Sequence, residues 1–228
     1  MPKTILAIGA HYDDCVFGIP GILLKAVAQH QRVIVAAIIG DYVAWPPVAG
    51  RDKPLLEVSR QLARERGMEM RFLSRASAHF RLDEDTQREV AELVAEVQPD
   101  TAFILWPHDR HPDHEAASAI CRAALAQPHM ILGRPCPAPR HIYCFDNGPR
   151  HTIGFEPNTF VDVTPQWDAA MDWLGRLMAF VNKTDFDPAK LDSARATKEA
   201  IARYRGATCG VKYAEAVWAM THSPSEIL

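Results

Sequence analysis

The chain has 228 residues, 48% hydrophobic and 23% charged, with a formal net charge of -3 and a pI near 6.4. This composition excludes a disordered polymer and fits one folded domain spanning residues 1–228. The slightly acidic balance offers no basic surface to nucleic acid or an anionic membrane, and no apolar run approaches the ~20 residues that a membrane span needs. The start at Met1 shows no signal-like apolar segment, and the cysteines (Cys15, Cys121, Cys136, Cys144 and Cys209) lack a Cys-x-x-Cys spacing, so a cytoplasmic protein with reduced thiols is expected.

The first apolar run, residues 5–9, reads as a strand buried on both faces, and it ends on the polar cluster His11, Tyr12, Asp13 and Asp14. A helix is expected over 16–29, regular only from about Gly21 because Pro20 and Gly21 interrupt it. A second buried strand at 32–40 completes a β-α-β unit. Residues 43–54 contain Pro46, Pro47, Gly50 and Pro54, which exclude regular structure; their place just beyond a strand end suggests a lid. A helix over 55–66 closed by Gly67, a half-exposed strand over 69–74 and a helix over 83–97 follow.

Residues 101–106 form another apolar run, followed by His108, Asp109, His111, Asp113 and His114, and Pro112 is suited to open a helix reaching about 126. A proline-rich loop at 133–139 comes next, then strands at 141–145 and 159–163. Amphipathic helices over 167–181 and 188–204 and a short apolar element at 212–218 complete the chain. Trp106, Trp167, Trp173 and Met178 read as core, and His79, His129 and His141 as surface residues.

Ligands of open parallel α/β sheets bind outside the carboxyl ends of the strands, so both polar clusters stand where chemistry is usually done. If the two runs share one sheet, His11, Asp14 and His114 converge. Two imidazoles and one carboxylate form the ligand set of many catalytic zinc sites and of non-haem iron sites. A dinucleotide-binding turn is excluded, because Gly9 is followed by carboxylates that would repel a pyrophosphate, without the Gly-x-Gly-x-x-Gly pattern. Tyr42, Trp45 and Arg51 in the lid are candidate substrate contacts, with solvent-facing loop residues the alternative. His108 is either a rim residue or an exposed loop histidine.

His11-Tyr12-Asp13-Asp14 and His111-Pro112-Asp113-His114 resemble the two signature motifs of the LmbE/PIG-L family, zinc-dependent deacetylases of N-acetylglucosamine-type substrates. The likeness extends to residues 57–67, to Asp109 and to Tyr213-Ala214-Glu215-Ala216. The resemblance implies a Rossmann-like three-layer α/β sandwich with a mostly parallel central sheet. It implies Zn2+, or another divalent ion such as Fe2+, on His11, Asp14 and His114. It also implies Asp13 as general base, and a protonated His111 tuned by Asp113 as the oxyanion stabiliser. A small N-acylated substrate and a homo-oligomer follow from the same likeness. Tyr12 stands where the family usually has proline and Cys15 where it has glutamate; the latter departure motivates an alternative, a metal-binding scaffold without turnover. Cys15 itself reads as an inert buried thiol or a soft donor near the metal.

Overall fold

Three central strands, β1 (Thr4–Gly9), β2 (Arg32–Asp41) and β4 (Thr101–Leu105), are apolar runs buried along nearly their whole length, as strands covered by helices on both faces must be. The computed structural model describes residues 3–77 and 81–221; His79 lies outside them. With β3 (Glu69–Ala76), β5 (His141–Phe145), β6 (Thr159–Asp162) and β7 (Ala214–Ala219), they form one sheet in the order β3-β2-β1-β4-β5-β7-β6. The first five strands are parallel, and β7 runs antiparallel between β5 and β6. The sequence element at 212–218 is therefore a strand that closes the sheet.

Helices α4 (Glu84–Val97), α5 (Pro112–Ala126) and α6 (Pro128–Leu132) pack on one another, while α1 (Asp14–Gly18), α2 (Pro20–Ala28), α3 (Asp52–Arg64) and α8 (Ser193–Cys209) gather around α7 (Trp167–Asn182). The result is the expected three-layer sandwich.

Several boundaries differ from the sequence reading for local reasons. The helix expected over 16–29 is two helices, because Ile19 at φ -137° breaks it and Pro20 opens the second. Helix α3 begins at Asp52 rather than at 55; Pro54 sits in its first turn, where backbone N–H groups have no intrahelical acceptor. Helix α8 begins after Asp192, whose carboxylate accepts from the backbone N–H groups of Ala194 and Arg195 at 2.9 and 3.0 Å, so Pro188 stays in the loop. Glu215 on β7 accepts from the N–H groups of Gly21 and Ile22 at 3.0 and 2.8 Å and pairs with Lys198 at 2.9 Å. Lys198 also donates to the carbonyl of Gly18 at 2.7 Å, so this buried pair ties α8 and β7 to the helices that follow the first polar cluster.

Candidate active site

Strand order reverses between β1 and β4, from which β2 and β5 extend in opposite directions, and such a switch point opens a crevice at the strand C-termini. Three loops converge there, those after β1, β4 and β5. Gly9 permits the first to fold back: a Cβ at this position would fall 2.6 Å from that of Asp14. Asp14 Oδ2 accepts from the N–H groups of Ala10 and His11, both at 2.8 Å, and Oδ1 accepts from Asn147 Nδ2 at 2.6 Å. His114, on the first turn of α5, places Nε2 3.2 Å from Asp14 Oδ1 and 3.2 Å from His11 Nδ1.

Each imidazole has a carboxylate behind it. His11 Nε2 lies 3.1 Å from Asp113 Oδ2. His114 Nδ1 lies 3.1 Å from Asp109 Oδ2, a charge contact rather than a well-aligned hydrogen bond. A carboxylate behind a ring favours the tautomer whose lone pair points at the shared centre, as in metal-bound histidines. The donor atoms of His11, Asp14 and His114 all lie within 4.8 Å of one another. Two nitrogens and one oxygen, each held from behind, suit a divalent ion, and the residues present fit such a group.

The charges point the same way. Burial alone would depress the His11 imidazole, but its hydrogen bonds to Asp113 and Asp14 outweigh burial and raise it to about 9. Burial likewise opposes protonation of His114, and the Asp14 and Asp109 carboxylates overcome it, raising the ring to about 10. The pocket therefore favours positive charge at its centre. Asp14 is held well below the usual carboxylate range because the two imidazoles outweigh its burial. Asp13 behaves oppositely: burial and then the Asp14 charge push it up to about 6.

His11, Asp14 and His114 line the floor of a cavity of about 330 Å³. Asp13 and His111 line it together with Phe17, Trp45, Met178 and the 147–151 loop, whose Gly148 lies against the Phe17 ring. That loop is pinned to the second polar cluster: Arg110 N–H donates to the His151 carbonyl and Ile153 N–H to that of His108, both at 2.9 Å.

Residues 6–125, more than half the chain, match the PIG-L family, described as GlcNAc-PI de-N-acetylase. The chain belongs to the PIG-L family. Among solved structures, GalB, the 4-carboxy-2-hydroxymuconate hydratase of Pseudomonas putida KT2440, is similar with a TM-score of 0.81 at 20% identity, covering 99% of each chain. The N,N'-diacetylchitobiose deacetylase of Pyrococcus horikoshii superposes with a TM-score of 0.77 at 20% identity, over 96% of this chain and 84% of that one. The conserved protein TT1542 of Thermus thermophilus gives 0.74 at 21% identity, over 100% and 97%. At such identities the likeness establishes a shared fold.

Within this PIG-L chain the residues expected from sequence fall into distinct places. His11, Asp14 and His114 meet, with Asp13 and His111 beside them on the cavity wall. Asp113 departs from the expectation: its carboxylate bonds His11, and only its backbone N–H reaches His111, donating to Nδ1 at 3.2 Å. Burial, then the neighbouring His11 and His114, lower the His111 imidazole below its ordinary value, and its Nδ1 accepts from the Asp113 N–H, which leaves Nε2 as the atom facing away from that bond.

Tyr42 and Arg51 are corrected outright. Tyr42 is buried, and its hydroxyl accepts from the Tyr12 N–H at 2.9 Å, bracing the first cluster where the family has proline. Arg51 donates to the carbonyls of Phe180 and Val181 at 2.6 and 3.1 Å, so it clamps the expected lid to α7 rather than facing the cavity. Trp45 does line the cavity, and so does Met178, which the sequence reading placed wholly in the core. His108 is exposed, and Cys15 is a buried thiol whose pKa burial, then the Asp14 charge, raises well above the ordinary value. Sequence reasoning missed Asn147 and His151; their signal was the position of Asn147 just beyond a third apolar run, residues 141–145. No helix among the described residues is long and apolar enough to cross a membrane.

Proposed function

We propose that the chain is a metal-dependent amide hydrolase that removes an acetyl or other acyl group from an N-acylated small molecule, such as an amino sugar or related amine. The observation that carries this reading is the convergence of His11 Nδ1, Asp14 and His114 Nε2 at the cavity floor, with the carboxylate of Asp13 beside them. The ion is zinc, or another divalent metal such as Fe2+, which when bound supplies Lewis acidity and acidifies water.

The chain's own groups perform the remaining work. Asp13, raised to about 6, is basic enough to take a proton from water near neutrality and acidic enough to return it to the leaving amine. His111, whose Nδ1 is taken by the Asp113 N–H, presents an Nε2–H donor to the carbonyl oxygen as that atom gains negative charge. Asp113 and Asp109 hold the two ligand imidazoles in register.

A second reading, hydration of an activated double bond in a polycarboxylate, is favoured by the near full-length likeness to a hydratase. The cavity wall weighs against it. Among the described lining residues Arg150 is the sole guanidinium or ammonium group, whereas a substrate with several carboxylates calls for several. Metal-loaded protein is offered a panel of N-acetylated amines and amino sugars and, separately, 4-carboxy-2-hydroxymuconate. Amine release that Asp13→Asn abolishes supports hydrolysis. Consumption of the polycarboxylate alone establishes the hydratase, and turnover of neither leaves a binding scaffold.

A further inference from the structure

The groups able to bond a sugar's hydroxyls are scarce on the wall away from the metal donors. Asn147 commits an amide N–H to Asp14 and keeps its buried Oδ1 without a partner, and Thr197 spends its hydroxyl proton on the Ser193 carbonyl at 2.8 Å. Asn147 Oδ1, the His151 ring, Ser193 and Arg150 remain, the last two exposed at the rim. The deeper wall is Phe17, Trp45 and Met178, half-buried side chains packed against the core.

That wall is fixed in place. The Trp45 ring meets Tyr12 at a tilt and Tyr42 edge-on, with centroids at 5.5 and 5.9 Å, and Arg51 ties the segment behind it to α7. Phe17 lies one turn beyond Asp13, its N–H donating to the Asp13 carbonyl at 2.8 Å. Phe17 and the base are thus carried by one short segment, 13–17. Because the base must reach the departing nitrogen, the amine side of the substrate lies toward this wall. A cavity of about 330 Å³ holds on the order of ten water volumes at ~30 Å³ each, far more than an acetamide unit fills.

Resting on the amide-hydrolase reading, we infer that the substrate is the N-acyl derivative of an apolar amine, aromatic or branched aliphatic, whose body packs against Phe17, Trp45 and Met178. A pyranose ring there would lose water from several hydroxyls with few partners to replace it, whereas an aryl or alkyl body gains from leaving water.

The test holds the acyl group constant. Metal-loaded protein is assayed for amine release from N-acetyl-2-phenylethylamine and from N-acetylglucosamine, and Trp45→Ala and Phe17→Ala are compared on both. The expected result is a kcat/KM at least ~10-fold higher for the aryl amide, a preference that either substitution compresses mainly through KM, in keeping with lost apolar burial. Equal or better turnover of the sugar, or an equal loss on both substrates in both variants, overturns the inference and leaves the hydrolase reading standing. If wild type releases amine from neither, that reading fails, and calorimetry decides the wall separately. Binding of the aryl amide that Trp45→Ala weakens supports it, and absence of binding overturns it.

Discussion

Replacing Asn147 by alanine removes the 2.6 Å hydrogen bond from its Nδ2 to Asp14 Oδ1 while leaving every candidate metal donor in place. Asp14 Oδ2 keeps both backbone N–H donors, so the carboxylate loses one of three anchors and can swing only about the remaining two. A hydrogen bond to a charged group is worth about 1.5–3 kcal/mol, and removal of a group that orients a metal ligand typically costs about 10–100-fold in metal affinity. The fold itself should suffer little, because Asn147 Oδ1 is buried without a hydrogen-bond partner in the wild-type protein and the substitution removes that atom as well. Competition against a chelator of known affinity measures the change, with far-UV circular dichroism and thermal melting as controls for folding. An Asn147→Ala protein that holds metal as tightly as wild type would refute the claim that this amide positions Asp14.

Other consequences follow from the same geometry. His114→Ala should abolish metal retention, whereas Asp13→Asn should retain metal and lose about 10²–10⁴-fold in turnover, as for a general acid–base residue; metal analysis beside a kinetic assay reads both, and the reverse pattern would invert the roles. His11 and His114, raised to about 9 and 10 in the metal-free fold against an ordinary 6.5, stabilise that fold fully below pH 6.5 and lose this contribution as pH rises through 9–10. The melting-temperature gap between metal-loaded and metal-free protein should therefore widen from pH 6.5 to 10, and metal binding near neutral pH should release about two protons; binding heats that do not vary with the buffer's ionisation enthalpy would contradict this. Glu215→Gln leaves the Lys198 charge buried without its partner and should cost about 3–5 kcal/mol in denaturant unfolding, part of which Lys198→Met restores in the double variant. A Glu215→Gln loss below ~1 kcal/mol would show the pair to be dispensable.

The sheet was legible because its central strands are uninterrupted apolar runs, and the polar clusters at their ends marked the crevice without any knowledge of strand order. Helix starts were less legible where side chains override backbone pattern: Asp192 caps α8 several residues after the point suggested by Pro188, and Ile19 divides a helix that periodicity alone joins. His11, Asp14 and His114 could be grouped from sequence because β1 and β4 turned out to be neighbours. Lid contacts were harder. Nothing in the types of Tyr42 and Arg51 reveals that one hydroxyl meets a backbone N–H thirty residues away in sequence, or that one guanidinium meets carbonyls at the end of α7. The pairing of Asp113 with His11 rather than with its own neighbour His111 likewise depends on how α5 faces β1.

Crystals of the zinc-loaded protein, measured on both sides of the zinc absorption edge, test the central claim most directly. An anomalous peak about 2.0–2.2 Å from His11 Nδ1, His114 Nε2 and an oxygen of Asp14 is the predicted result. A peak on Asp109, His114 Nδ1 and His151 instead, or none near His11, would contradict it.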